Sequence, residues 1–161
     1  MELPARKPTR LPNFDYSTPG AYFITICTKD RKCILGNIVG GGALDAPQMQ
    51  TNHIGKMVEK YILSGNKTPY VHVDKYVIMP NHIHMILLIN NGASRASSPT
   101  NAVIPRFVSA LKRFCNQDTG FTIFQRSYHD HIIRNEQDYL RIWEYIDNNP
   151  VRWKEDCFYT E

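Results

Sequence analysis

Residues 71–89 read VHVDKYVIMPNHIHMILLI, and the architecture of the chain turns on this stretch. Val71–Met79 and Ile83–Ile89 are rich in β-branched and bulky apolar residues, which suit a pleated surface. Between them Pro80-Asn81 supplies turn-forming residues. The stretch therefore predicts two antiparallel strands joined by a tight turn, the central hairpin of a sheet. Side chains alternate along a strand, so His82 and His84 share one face and Ile83, Met85 and Leu87 take the other. The apolar set can be core. The imidazole pair is the first candidate for chemistry.

Outward from the hairpin, Ala21–Thr28 (AYFITICT) has the alternation of a strand. A charged turn, a short apolar piece at Cys33–Leu35 and the glycine-rich GNIVGGGALDAPQ follow. That last segment lacks GxxxxGK[ST] and so predicts a hairpin or mobile loop rather than a phosphate cradle. Ile54, Met57, Val58, Tyr61 and Ile62 recur at spacings of three and four, which predicts a helix over Asn52–Leu63, stopped at Ser64-Gly65-Asn66. After a polar linker, NNGASRASSPTN, a basic amphipathic helix spans Ile104–Asn116. A strand over Tyr128–Arg134 leads to Asn135, which caps a last helix with Asp138 three residues on. That helix reaches Asn148 and ends before Pro150. The order predicts an α+β fold: a ferredoxin-like βαββαβ antiparallel sheet with helices on one face, followed by one further C-terminal helix.

At 161 residues the chain matches one domain, 1–161, with room for a two-layer core. No apolar run approaches the roughly 18 residues of a membrane span, and MELPARKPTRLP lacks the apolar segment of a secretory signal. A cytoplasmic protein with no membrane partner is expected. The net charge is +4, which permits a polyanionic partner. Its basic residues cluster at Arg6, Lys7 and Arg10 on the leading arm, at Lys29, Arg31 and Lys32 in one turn, and at Arg106, Lys112 and Arg113 along one helix. Cys27, Cys33, Cys115 and Cys157 show no metal-knuckle spacing and are expected to be reduced.

Three groups of residues could carry chemistry. Two imidazoles on one pleat, His82 and His84, can share a divalent ion, although an isolated pair is also compatible with two tolerated strand-end histidines. On the last helix Tyr139, Ile142, Trp143 and Ile146 form the expected buried stripe. Tyr145 and Asn149 lie off that stripe, one turn apart, and can approach a common point. A phenol can attack phosphorus when a metal polarises the phosphate. Finally, Tyr128-His129-Asp130-His131 sends its histidines to one face and Tyr128 with Asp130 to the other. Tyr128 is thus the rival nucleophile.

Three segments together resemble one family: RLPNFDYSTPGAYFITICTKDRKCILG, YVIMPNHIHMILLI and SYHDHIIRNEQDYLRIWEYIDNNPVRW. They are similar to the single-tyrosine HUH transposases, specifically the REP-associated tyrosine transposases, where HUH denotes histidine, hydrophobic residue, histidine. The resemblance covers nearly the whole chain in family order. It implies a metal-dependent single-stranded DNA endonuclease and strand-transferase that forms a 5′-phosphotyrosine intermediate on DNA containing a palindromic hairpin. It assigns Tyr145 as nucleophile and His82, His84 and Asn149 as ligands of Mg²⁺ or Mn²⁺. Arg6, Lys7, Arg10, Lys112 and Arg113 become the candidate DNA contacts, and a homodimer and a monomer both fit. The alternative is a non-catalytic nucleic-acid-binding module of the same fold. A histidine-triad hydrolase would need a third alternate histidine where Ile86 stands.

Overall fold

The computed structural model describes residues 10–91 and 102–161. Strand β1 (Gly20–Cys27) is followed by the short strands β2 (Gly36–Val39) and β3 (Gln48–Thr51), then helix α1 (His53–Ser64). Strands β4 (Val71–Met79) and β5 (His82–Ile89), helix α2 (Val103–Thr119), strand β6 (His129–Ile133) and helix α3 (Glu136–Asn148) complete the order. Four strands make one antiparallel sheet in the order β4-β5-β1-β6, so the chain is α+β with three helices. The glycine-rich segment forms a separate two-stranded hairpin, β2–β3. Arg6, Lys7 and most of the polar linker fall outside the described residues. No helix among the described residues is long and apolar enough to cross a membrane.

Because β5 is covered on both faces, it reads as a nearly unbroken apolar run rather than a strict alternation. One face carries Ile83, Met85 and Leu87 into a core shared with Ile24 and Ile26 of β1, Val58 and Ile62 of α1, and Phe107 and Leu111 of α2. At the end of α1 the ring of Phe107 occupies the space that a Cβ on Gly65 would need, so a glycine permits the close helix contact. The opposite face carries Ile86, which packs with Ile142 and Ile146 of α3. Helix α3 starts as its sequence signals, with the Asn135 side chain accepting from the Asp138 amide at 2.8 Å. Its buried stripe is narrower than the periodicity predicts. Trp143 stays 39% exposed, because only Ile142 and Ile146 seat fully on the sheet, and the Lys75 ammonium covers the indole at 3.7 Å. The four cysteines are free, Cys27 and Cys115 buried, Cys33 and Cys157 exposed.

This packing places His82 and His84 between the sheet and α3. The β1–β5 register sets Cys27 opposite His82 and Thr25 opposite His84.

Candidate active site

Met79 pairs with His82 across a two-residue turn, which leaves Asn81 buried at the end of the hairpin. Its amide Nδ2 donates to the carbonyls of Phe158 (2.8 Å) and Arg31 (3.2 Å), which fixes the orientation of the amide. Asn81 Oδ1 is then an acceptor 2.9 Å from His82 Nδ1, so Nδ1 carries the proton and Nε2 presents its lone pair. That Nε2 is buried and has no partner. His84 is held by Thr25, whose Oγ1 lies 2.8 Å from Nδ1, and its Nε2 faces the Tyr145 hydroxyl at 3.3 Å. Burial pushes the His82 pKa down to about 4, partly opposed by Asp156. Burial and the neighbouring His82 hold His84 well below the usual imidazole range. Both rings are therefore neutral near pH 7, the state in which imidazole binds metals.

Tyr145 and Asn149 reach these rings from α3. Asn149 is buried, and its Oδ1 is the second orphaned polar atom at the site. Its Nδ2 donates to Asp156 Oδ2 at 2.9 Å. Burial, reinforced by Asp156 and Cys157, raises the Tyr145 pKa to about 12, so the phenol keeps its proton at neutral pH.

Asp156 is the site residue that the sequence reading missed. The chain turns at Pro150, buries Trp153 in a short 3₁₀ turn, and sets Trp153 and Phe158 beside the His82 ring at 5.9 and 4.7 Å. The Asp156 side chain between them is 2% exposed. One ligand atom each from His82, His84 and Asp156 lie within 4.8 Å of one another. The only sequence signal was an aspartate between two aromatic anchors after an Asn-Pro helix end, which is too common to single out.

The donor set fits a divalent cation. Two neutral imidazoles, a carboxylate and an amide oxygen converge, and two of those atoms are buried with no other partner. Outside them opens a cleft of about 760 Å³, lined among others by Phe23, His131, Arg141, Tyr145 and Arg152.

The rival tyrosine sits elsewhere. Tyr128 belongs to the core on the α1–α2 side, 5% exposed, and burial raises its pKa far above the phenol range. Of the candidate DNA contacts, Arg10 lies over the Tyr128 ring at 4.3 Å. Lys112 is also turned inward: Nζ donates to the carbonyls of Gln125, Arg126 and Ser127 at 2.7, 3.2 and 2.9 Å. Those three bonds use all the N–H groups of an ammonium. Arg113 remains exposed, beside the Phe114 ring.

No protein-family model matches the chain. A Haemophilus influenzae protein without an assigned activity is 33% identical over 175 aligned positions, spanning 97% of this chain and 94% of its own length. A candidate REP-associated tyrosine transposase of the same organism is 24% identical over 147 positions, 86% of this chain and 74% of its own. The solved structure of a REP-associated tyrosine transposase bound to a REP hairpin matches at a TM-score of 0.65 with 20% identity, over 92% of this chain and 74% of that one. This chain shares the fold of that transposase. A candidate transposase from Deinococcus radiodurans shares the transposase fold at a TM-score of 0.50 and 17% identity, over 81% of this chain and 91% of its own.

Proposed function

We propose that this protein is a REP-associated tyrosine transposase, a metal-dependent endonuclease and strand-transferase for single-stranded DNA carrying a hairpin, acting as one domain with Tyr145 as nucleophile. The observation that carries the reading is the approach of the Tyr145 hydroxyl to His84 Nε2, beside the orphaned His82 Nε2 and Asn149 Oδ1. The split βαββαβ order and the tyrosine on the helix that follows it support the same reading.

In this scheme His82, His84 and Asn149, with Asp156, would hold Mg²⁺ or Mn²⁺. Bound there, the cation supplies Lewis acidity at the scissile phosphate. The protein supplies position. Tyr145 Oη forms a bond to phosphorus, the bond from phosphorus to the 3′ oxygen breaks, and a 5′-phosphotyrosine and a free 3′-hydroxyl result. The phenolic proton passes to water in the cleft and the leaving 3′ oxygen takes a proton in turn, because Asp156 Oδ2, 3.5 Å from the phenol, is committed to the cation and to Asn149 Nδ2. One phosphoester replaces another, so attack by a second 3′-hydroxyl rejoins strands without an external energy source.

The test uses labelled single-stranded oligonucleotides with hairpins, drawn from the DNA flanking the gene, incubated with Mn²⁺. A covalent protein–DNA band on a denaturing gel is expected from the unsubstituted protein and from Tyr128→Phe. Tyr145→Phe should give none, and peptide mapping should place the link on Tyr145. An adduct on another residue, or one that persists in Tyr145→Phe, refutes the assignment.

A further inference from the structure

Helix α3 brings more than the tyrosine to the cleft. At 3.6 residues per turn, Arg141, Tyr145, Asn149 and Arg152 fall along one side of the helix and its continuation, and all four line the cleft. Arg141 stands one turn before the phenol, about 6 Å along the axis at 1.5 Å per residue. Asp138 holds it there: Arg141 Nη2 donates to Asp138 Oδ1 at 2.5 Å, and Asp138 Oδ2 lies 2.7 Å from Nε2 of His131, another cleft residue. These two hydrogen bonds keep the Asp138 carboxyl below the usual range, so it stays ionised and keeps gripping both partners. The Asp138 side chain is 15% exposed, whereas that of Arg141 is 72% exposed. One edge of the guanidinium is thus anchored while its other N–H groups face solvent.

The charges around it give this cation its weight. Among the described residues, Glu144, Glu155 and Asp156 line the same cleft, Arg141 and Arg152 are the arginines that face them, and no lysine does. A phosphodiester entering the cleft is repelled by the carboxylates and finds its fixed cations at those two positions. A guanidinium held along one edge suits such a phosphate, because its remaining fork can donate two parallel hydrogen bonds.

We infer that Arg141, oriented by Asp138, grips the backbone phosphate next to the scissile one and so sets the register of the single strand against Tyr145. Arg152 marks the other side of the phenol. This assignment rests on the nickase reading above and adds a positioning residue to it.

The experiment measures equilibrium binding of a labelled single-stranded oligonucleotide in the Tyr145→Phe background, where no adduct forms, across a salt series. Each phosphate contact on a single strand contributes about 0.7 to the slope of log affinity against log salt. Arg141→Ala should weaken binding about tenfold and lower the slope magnitude by about 0.7. Arg141→Lys should restore the slope, because the charge returns, but only part of the affinity, because the fork does not. Arg141→Ala with Arg152→Ala should lower the slope by about 1.4. An unchanged slope in Arg141→Ala overturns the inference even if the parent protein forms its Tyr145 adduct. Failure of the parent protein to form any adduct overturns the nickase reading itself, and this inference with it.

Discussion

Replacing Lys112 by methionine separates a structural cation from a DNA contact. The substitution keeps an unbranched stem of similar length and removes the ammonium, which now joins α2 to the carbonyls of residues 125–127, just before β6. The bond to Gln125 is part-buried and charge-assisted, so its loss costs about 1.5–3 kcal/mol. The carbonyls of Arg126 and Ser127 sit at an exposed edge and can turn to water, which adds only tenths. Part of this is returned. Burial, helped by Arg10, brings the Lys112 pKa down to about 8, and removing the charge relieves that strain. For a group that keeps substantial contact with solvent the relief is discounted to about 1 kcal/mol. The expected net loss is about 1–2 kcal/mol. At about 2–4 °C per kcal/mol for a chain of this size, Tm should fall by roughly 2–8 °C. Thermal unfolding followed by circular dichroism reads the first quantity, and the salt slope of oligonucleotide binding, expected to be unchanged, reads the second. An unchanged Tm with a slope reduced by about 0.7 would show that Lys112 meets a phosphate and that its carbonyl contacts do little.

Two other outcomes bear on the core and on the metal. Gly65→Ala should lower stability by about 1–3 kcal/mol, since its new methyl must displace the Phe107 ring of α2; an unaltered Tm would show that the two helices yield there. Asp156→Asn keeps the shape of the side chain but removes its charge, and calorimetric Mn²⁺ affinity should fall at least tenfold; equal affinity would confine the ligands to His82, His84 and Asn149.

Local pattern alone was enough for the regular elements of the sheet and helices. The β-branched and bulky apolar runs on either side of Pro80-Asn81 mark β4 and β5, and the shared face of the two histidines follows because a strand's period of two is built into its backbone. Asn135 and Asp138 announce the start of α3, and the 3.6-residue period places Tyr145 and Asn149 on one side of it. What the period could not say is how wide a stripe the sheet would accept, so Trp143 was misjudged: burial depends on the partner surface, and here Ile86 seats Ile142 and Ile146. Tertiary structure alone brought α3 across the histidine face of the sheet. It also separated the two candidate tyrosines, sending the rival Tyr128 into the core and Tyr145 to His84. Likewise it turned Lys112 inward and carried Asp156 to within 3.8 Å of His82, seventy-four positions earlier in the chain. Spacing along the chain encodes only which face of its own element a side chain takes. Which faces meet is settled by packing between elements, and at this site that packing made a lone aspartate a neighbour of two histidines.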